Sequence, residues 1–156
     1  MSEDFFSPYK PSGERTKKKD SQSQSGDTSS IPLVLVADDN EPFLRYVKRV
    51  VESNGYECVT TDSPGTAVRI ALEKHPAVVL CDINFGIGRT SGTDVFAEIR
   101  RVDAHVPFVI VSAFIQQEAK DRAAKLGITH YVTKPVEPEQ LIAEIRNVIG
   151  SQRITP

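Results

Sequence analysis

Between residues 31 and 150 short apolar runs alternate with stretches whose apolar residues recur at the helical period, and this alternation constrains the fold more than any other feature. The runs 33–37, 56–61, 77–81, 108–111 and 129–132 read as strands, and 41–53, 64–74, 93–101, 116–126 and 138–149 read as helices. The last helix is the clearest, because Leu141, Ile142, Ile145, Val148 and Ile149 share one face. Pro138 suits its first turn, where a missing N–H costs nothing, and Gly150 suits its stop; Gly127 suits the end of the helix before it. Five such units predict a parallel sheet with helices on both faces. The first, third and fourth strands lack polar alternation, as strands covered on both faces should.

Residues 1–30 differ in kind. They are rich in Ser, Lys, Gln and Gly, and their charges balance, five of each sign. Such a segment cannot bury enough apolar surface to offset its ordering entropy, so it is expected to be a disordered tail preceding a domain over 31–150, with a short second tail over 151–156. Phe5, Phe6 and Tyr9 are the aromatics in that tail that a docking motif would use. The net charge of -2 predicts no attraction to DNA, and no apolar run is long enough for a membrane span. There is no basic-then-apolar leader, and the two cysteines, Cys58 and Cys81, both sit in strand-like segments, which suits buried thiols in a reducing, cytoplasmic setting.

In a doubly wound sheet all strand C-termini lie on one edge, where ligands bind. The first strand is followed by Asp38-Asp39, the third by Asp82, the fourth by Ser112 and the fifth by Lys134. Carboxylates gathered on one edge repel one another, and a divalent cation resolves the conflict. Hard oxygen ligands without nitrogen or sulfur suit Mg²⁺, held by Asp38, Asp39, Asp82 and the backbone carbonyl of Asn84, with Asp39 the favoured direct ligand of the first pair. Asp82 can serve as nucleophile and form an acyl phosphate. Lys134 supplies a positive charge and Ser112 a hydroxyl donor toward phosphoryl oxygens. Taken singly, each residue has a plainer reading. Adjacent acids commonly cap a helix, Lys134 is a lysine before proline, Tyr131 is a strand aromatic, and His75, His105 and His130 show no ligand spacing and read as loop or surface histidines.

Val36-Ala37-Asp38-Asp39, Leu80-Cys81-Asp82, Val111-Ser112-Ala113 and Tyr131-Val132-Thr133-Lys134-Pro135 together resemble the receiver domain of two-component response regulators, in the stand-alone form. The resemblance covers residues 31–150 and implies a flavodoxin-like five-stranded sheet of order 2-1-3-4-5. It implies a cis Lys134-Pro135 bond and a switch in which Ser112 moves toward the phosphoryl group while Tyr131 turns inward. It also implies a sensor histidine kinase or histidine phosphotransfer protein as donor and a signalling switch rather than an enzyme. The surface of the fourth helix, fifth strand and fifth helix is, by the same resemblance, the partner or homodimer face. No output domain follows Ile149, so output is expected through contact with a downstream protein.

Two departures from the family pattern stand out. The segment 85–92 is two residues longer than usual, with Gly86 where proline is common and Gly92 displaced, which bears on kinase docking. Phe114, two residues after Ser112, places a bulky group beside the phosphoryl site and is expected to slow loss of phosphate. Two other functions fit the fold. A Mg²⁺-dependent phosphohydrolase with an aspartyl-phosphate intermediate would need an Asp-x-Asp pair after the first strand, where the acids are adjacent. An interaction module that is never phosphorylated would have no use for all five site residues.

Overall fold

The computed structural model describes residues 30–84, 91–103, 105–113 and 115–154, with side chains described as far as Ser151. The expectations for a disordered tail, for the loop 85–90 and for Phe114 fall outside these residues.

Strands and helices alternate as the apolar pattern predicts: β1 (Leu33–Ala37), α1 (Glu41–Ser53), β2 (Glu57–Thr61), α2 (Pro64–Lys74), β3 (Val78–Asp82), α3 (Gly92–Val102), β4 (Phe108–Ser112), α4 (Gln117–Lys125), β5 (His130–Thr133) and α5 (Pro138–Ile154). All pairings are parallel and the order is β2-β1-β3-β4-β5. β3 and β4 are buried at every residue and β1 at all but its first, whereas β2 and β5, at the edges, keep exposed residues. The uninterrupted apolar runs therefore mark the strands covered on both faces.

Side chains alternate between the faces of a strand, and this period of two decides what lies where. Val34, Val36, Val78, Leu80, Val109, Val111 and Val132 form one layer with Leu44, Val47 and Val51 of α1 and Leu141, Ile142, Ile145 and Val148 of α5. On β4 the intervening residues face the other way: Phe108 meets Phe96 of α3 edge-on with centroids 4.7 Å apart. Continuing the even-numbered series, Asp38, Asp82 and Lys134 follow Val36, Leu80 and Val132 and belong to the α1/α5 side.

Local signals explain the helix starts. Asn40 accepts the Phe43 N–H (2.9 Å) at the head of α1, and Ser63 accepts the Thr66 N–H (3.2 Å) at the head of α2. Ser91 and Asp94 exchange bonds in a capping box at the head of α3. Gly127 turns the chain after α4 with φ +92, a conformation that glycine adopts without strain.

Two expectations need correction. α5 does not stop at Gly150 but runs on to Ile154, so residues 151–154 belong to the helix and not to a tail. Glycine weakens a helix without ending it unless the chain turns left-handed, and Gly150 does not; Ser151 Oγ also donates to the Asn147 carbonyl (2.9 Å). His130 is not a loop histidine, and its side chain is part-buried. It opens β5 and its Nδ1 lies 2.8 Å from Glu144 Oε2 on α5.

Candidate functional site

The C-terminal edge of the sheet gathers the acids by register. Ala37 pairs with Cys81, which sets Asp38 beside Asp82, and Ser112 pairs with Thr133, which sets Lys134 just beyond. Asp82 and Ser112 are the last residues of their strands rather than the first residues after them. Asp38, Asp39 and Asp82 each offer a carboxylate oxygen, and those oxygens lie within 4.8 Å of one another. Asp38 and Asp82 are buried while Asp39 is exposed.

Each buried acid is held at both oxygens. Asp38 Oδ1 accepts the Asn40 N–H (2.8 Å) and its Oδ2 accepts from Lys134 Nζ (2.7 Å). Asp82 Oδ1 accepts the Asn84 N–H (3.2 Å), and its Oδ2 lies 3.5 Å from the same ammonium. Burial raises the Asp38 carboxyl above its ordinary range; the bonds from Lys134 and Asn40 oppose that shift, and the Asp82 charge adds to it. The two buried carboxylates share the single ammonium of Lys134. Lys134 is aimed by its own backbone, whose N–H donates to the Ser112 carbonyl (2.9 Å), and the Lys134-Pro135 bond that follows is cis.

The donor set fits Mg²⁺: among the described residues three carboxylates converge without nitrogen or sulfur ligands, and the two buried ones share a single ammonium. Gly92, the first residue of α3, closes the back of the site. Its N–H donates to the Ile83 carbonyl (2.8 Å), and a Cβ there would run into the Asp82 carbonyl oxygen. The displaced glycine thus stands where the chain after Asp82 needs one. Beneath the acids lies a narrow crevice lined by Val36, Val47, Leu80, Val111 and Leu141, with Phe43 at its side.

Of the remaining predicted residues, Ser112 is buried at the end of β4. Tyr131 is half-buried, its hydroxyl donating to the Ile128 carbonyl (3.3 Å). Cys81 points away from the acids, fully buried, with its thiol pushed well up by desolvation, and burial likewise pushes Cys58 up to about 12. Two neighbours of the site escaped sequence reasoning. Asn40 both caps α1 and donates its N–H to Asp38, a dual part that an Asx residue after two acids can signal. Phe43 places its ring 4.3 Å from Lys134 Nζ, and an aromatic one turn into a helix carries no such signal by itself.

Comparison with known proteins places this edge in context. The family model described as the response regulator receiver domain matches residues 34–146. The polar-differentiation response regulator DivK of Brucella ovis is 29% identical over 119 residues, covering 75% of this chain and 95% of that protein. A receiver domain from Clostridium thermocellum superposes with a TM-score of 0.74 at 27% identity, over 81% of this chain and 100% of that one. A CheY-like receiver from Methanospirillum hungatei gives 0.75 at 22% identity, over 80% and 98%. The match spans every strand and helix that builds the acidic edge, and the chain belongs to the response regulator receiver family.

Proposed function

We propose that the chain is a phosphorylation-dependent switch that accepts a phosphoryl group on Asp82 from the phosphohistidine of a sensor kinase or a histidine phosphotransfer protein. The observation that carries this reading is the convergence of Asp38, Asp39 and Asp82 with Lys134 reaching both buried acids. Membership of the receiver family implies phosphorylation-based signalling and supports the same assignment.

A carboxylate oxygen of Asp82 attacks the donor phosphorus. The new C–O–P linkage forms as the P–N bond to the imidazole breaks, and the departing nitrogen keeps the electron pair. Asp38, Asp39, Asp82 and the Asn84 carbonyl would hold Mg²⁺, which supplies charge neutralisation for the phosphoryl oxygens when bound. Lys134 is near enough to exchange its Asp82 contact for a phosphoryl oxygen, and Ser112 offers a hydroxyl donor at the next strand end. Phosphorylation replaces the single charge of the Asp82 carboxylate with up to two on the phosphoryl group, in a site whose buried acids share one ammonium, so Ser112 and Tyr131 are the residues expected to reorganise. Output follows as a changed contact between the α4–β5–α5 face and a protein partner or a second copy.

Incubation with acetyl phosphate and Mg²⁺, followed by intact mass, tests the reading. The expected result is an adduct of about 80 Da that is absent without Mg²⁺ and absent in Asp82→Asn. Continuous release of phosphate from unrelated monoesters would mark a hydrolase instead, and no adduct from any donor would mark an interaction module.

A further inference from the structure

α1 carries two aromatics three residues apart, Phe43 and Tyr46, and both reach the chain segment that holds Lys134. The Phe43 ring centroid lies 4.3 Å from Lys134 Nζ. The Tyr46 hydroxyl donates to the carbonyl of Val136 (2.6 Å), two residues beyond Lys134, and the two rings sit 6.4 Å apart. With Asp38 Oδ2 at 2.7 Å and Asp82 Oδ2 at 3.5 Å, the ammonium has a ring face on one side and carboxylates on the others.

A lysine ammonium is a compact charge on a four-carbon stem with high rotamer entropy, so leaving it unbraced costs precision. Phosphoryl transfer depends on positioned charge more than on covalent assistance. The Phe43 ring attracts the ammonium through its quadrupole without offering an oxygen that would compete with the phosphoryl group. Tyr46 fixes the backbone that the lysine hangs from. Phe43 and Tyr46 also pack against the apolar layer, and simple filling of space would be served as well by leucine. A ring over the charge is what leucine cannot supply.

We propose that Phe43, with Tyr46 bracing the backbone, is a positioning residue that holds the Lys134 ammonium between Asp38 and Asp82 and so accelerates phosphoryl transfer to Asp82. This rests on the reading of Asp82 as phosphoacceptor.

The test compares wild type, Phe43→Leu, Phe43→Tyr and Tyr46→Phe. Adduct formation is timed against acetyl phosphate concentration at saturating Mg²⁺, and the Lys134 ε-methylene proton resonance is followed in the unphosphorylated chain. Its assignment comes from its loss in Lys134→Arg. Phe43→Leu is expected to lower the maximal rate roughly three- to ten-fold with the donor concentration for half-maximal rate unchanged, and to move the ring-shifted resonance to an ordinary lysine position. Phe43→Tyr, which keeps the ring, should restore both, and Tyr46→Phe should fall between. Equal maximal rates for wild type and Phe43→Leu, or a Lys134 resonance that Phe43→Leu leaves in place, overturn the proposal. A wild-type chain that forms no adduct on Asp82 overturns the reading beneath it and is told apart by that result alone.

Discussion

Asp39 is the acid of the cluster that solvent reaches, yet its carboxylate oxygen lies within 4.8 Å of those of Asp38 and Asp82. Lys134 serves the two buried acids, so the third charge adds repulsion with little burial to account for it. Without divalent metal, Asp39→Ala should therefore melt a few degrees above wild type, and adding Mg²⁺ should narrow or reverse the gap. Melting below wild type in the metal-free buffer would contradict the repulsion. A second titration belongs to Cys58, whose thiol is raised from 9.0 to about 12 by burial, with the Lys48 charge opposing the shift and the Glu52 charge adding to it. The folded value exceeds the unfolded one, so the stability linked to this thiol is fully present below pH 9 and is lost as pH rises from 9 toward 12, where only the unfolded chain ionises. Wild type should lose stability over that window more steeply than Cys58→Val, as chemical denaturation at pH 8 and pH 10.5 would show; parallel slopes would remove Cys58 as the cause.

At the scale of elements, Gly92 makes the sharpest demand. It opens α3 at a point where any Cβ collides with the Asp82 carbonyl oxygen, a backbone atom that cannot rotate aside. Gly92→Ala should cost about 1–3 kcal/mol, as overpacking does, and should slow adduct formation because the shift is passed directly to Asp82. An alanine variant with wild-type denaturant midpoint and wild-type adduct rate would show that the strand end yields freely. The sequence made much of this scale readable: β1, β3 and β4 announce themselves as apolar runs, and the ends of β1 and β3 deliver the acids, because strands covered on both faces tolerate charge only where they emerge. The end of α5 was not readable, since a glycine marks a stop only through its φ angle. His130 was not either, because its partner Glu144 lies fourteen residues away on the next helix and no local spacing joins them. Phe43 was hidden for the same reason, its contact with Lys134 spanning the whole domain.

The whole molecule brings Asp38 and Asp82 together only by folding, since they end adjacent strands that a helix, a strand and another helix separate in the chain. An unfolded chain offers no such pocket, so Mg²⁺ held there would bind the native state alone and stabilise it by mass action. Stabilisation should reach about 2.7 kcal/mol at a Mg²⁺ concentration one hundred times the dissociation constant, and the melting temperature should go on rising with the logarithm of concentration instead of levelling off. Screening of surface charge by salt gives a different signature, because it acts equally for NaCl at matched ionic strength and is nearly complete at about 0.15 M. Asp82→Asn should flatten the Mg²⁺ response by removing one carboxylate ligand, while Gln117→Ala, exposed on the fourth helix, should leave it unchanged. A melting temperature that follows ionic strength alone, the same for Mg²⁺ and Na⁺, would mean that the acids are satisfied by Lys134 and that no divalent site forms at the sheet edge.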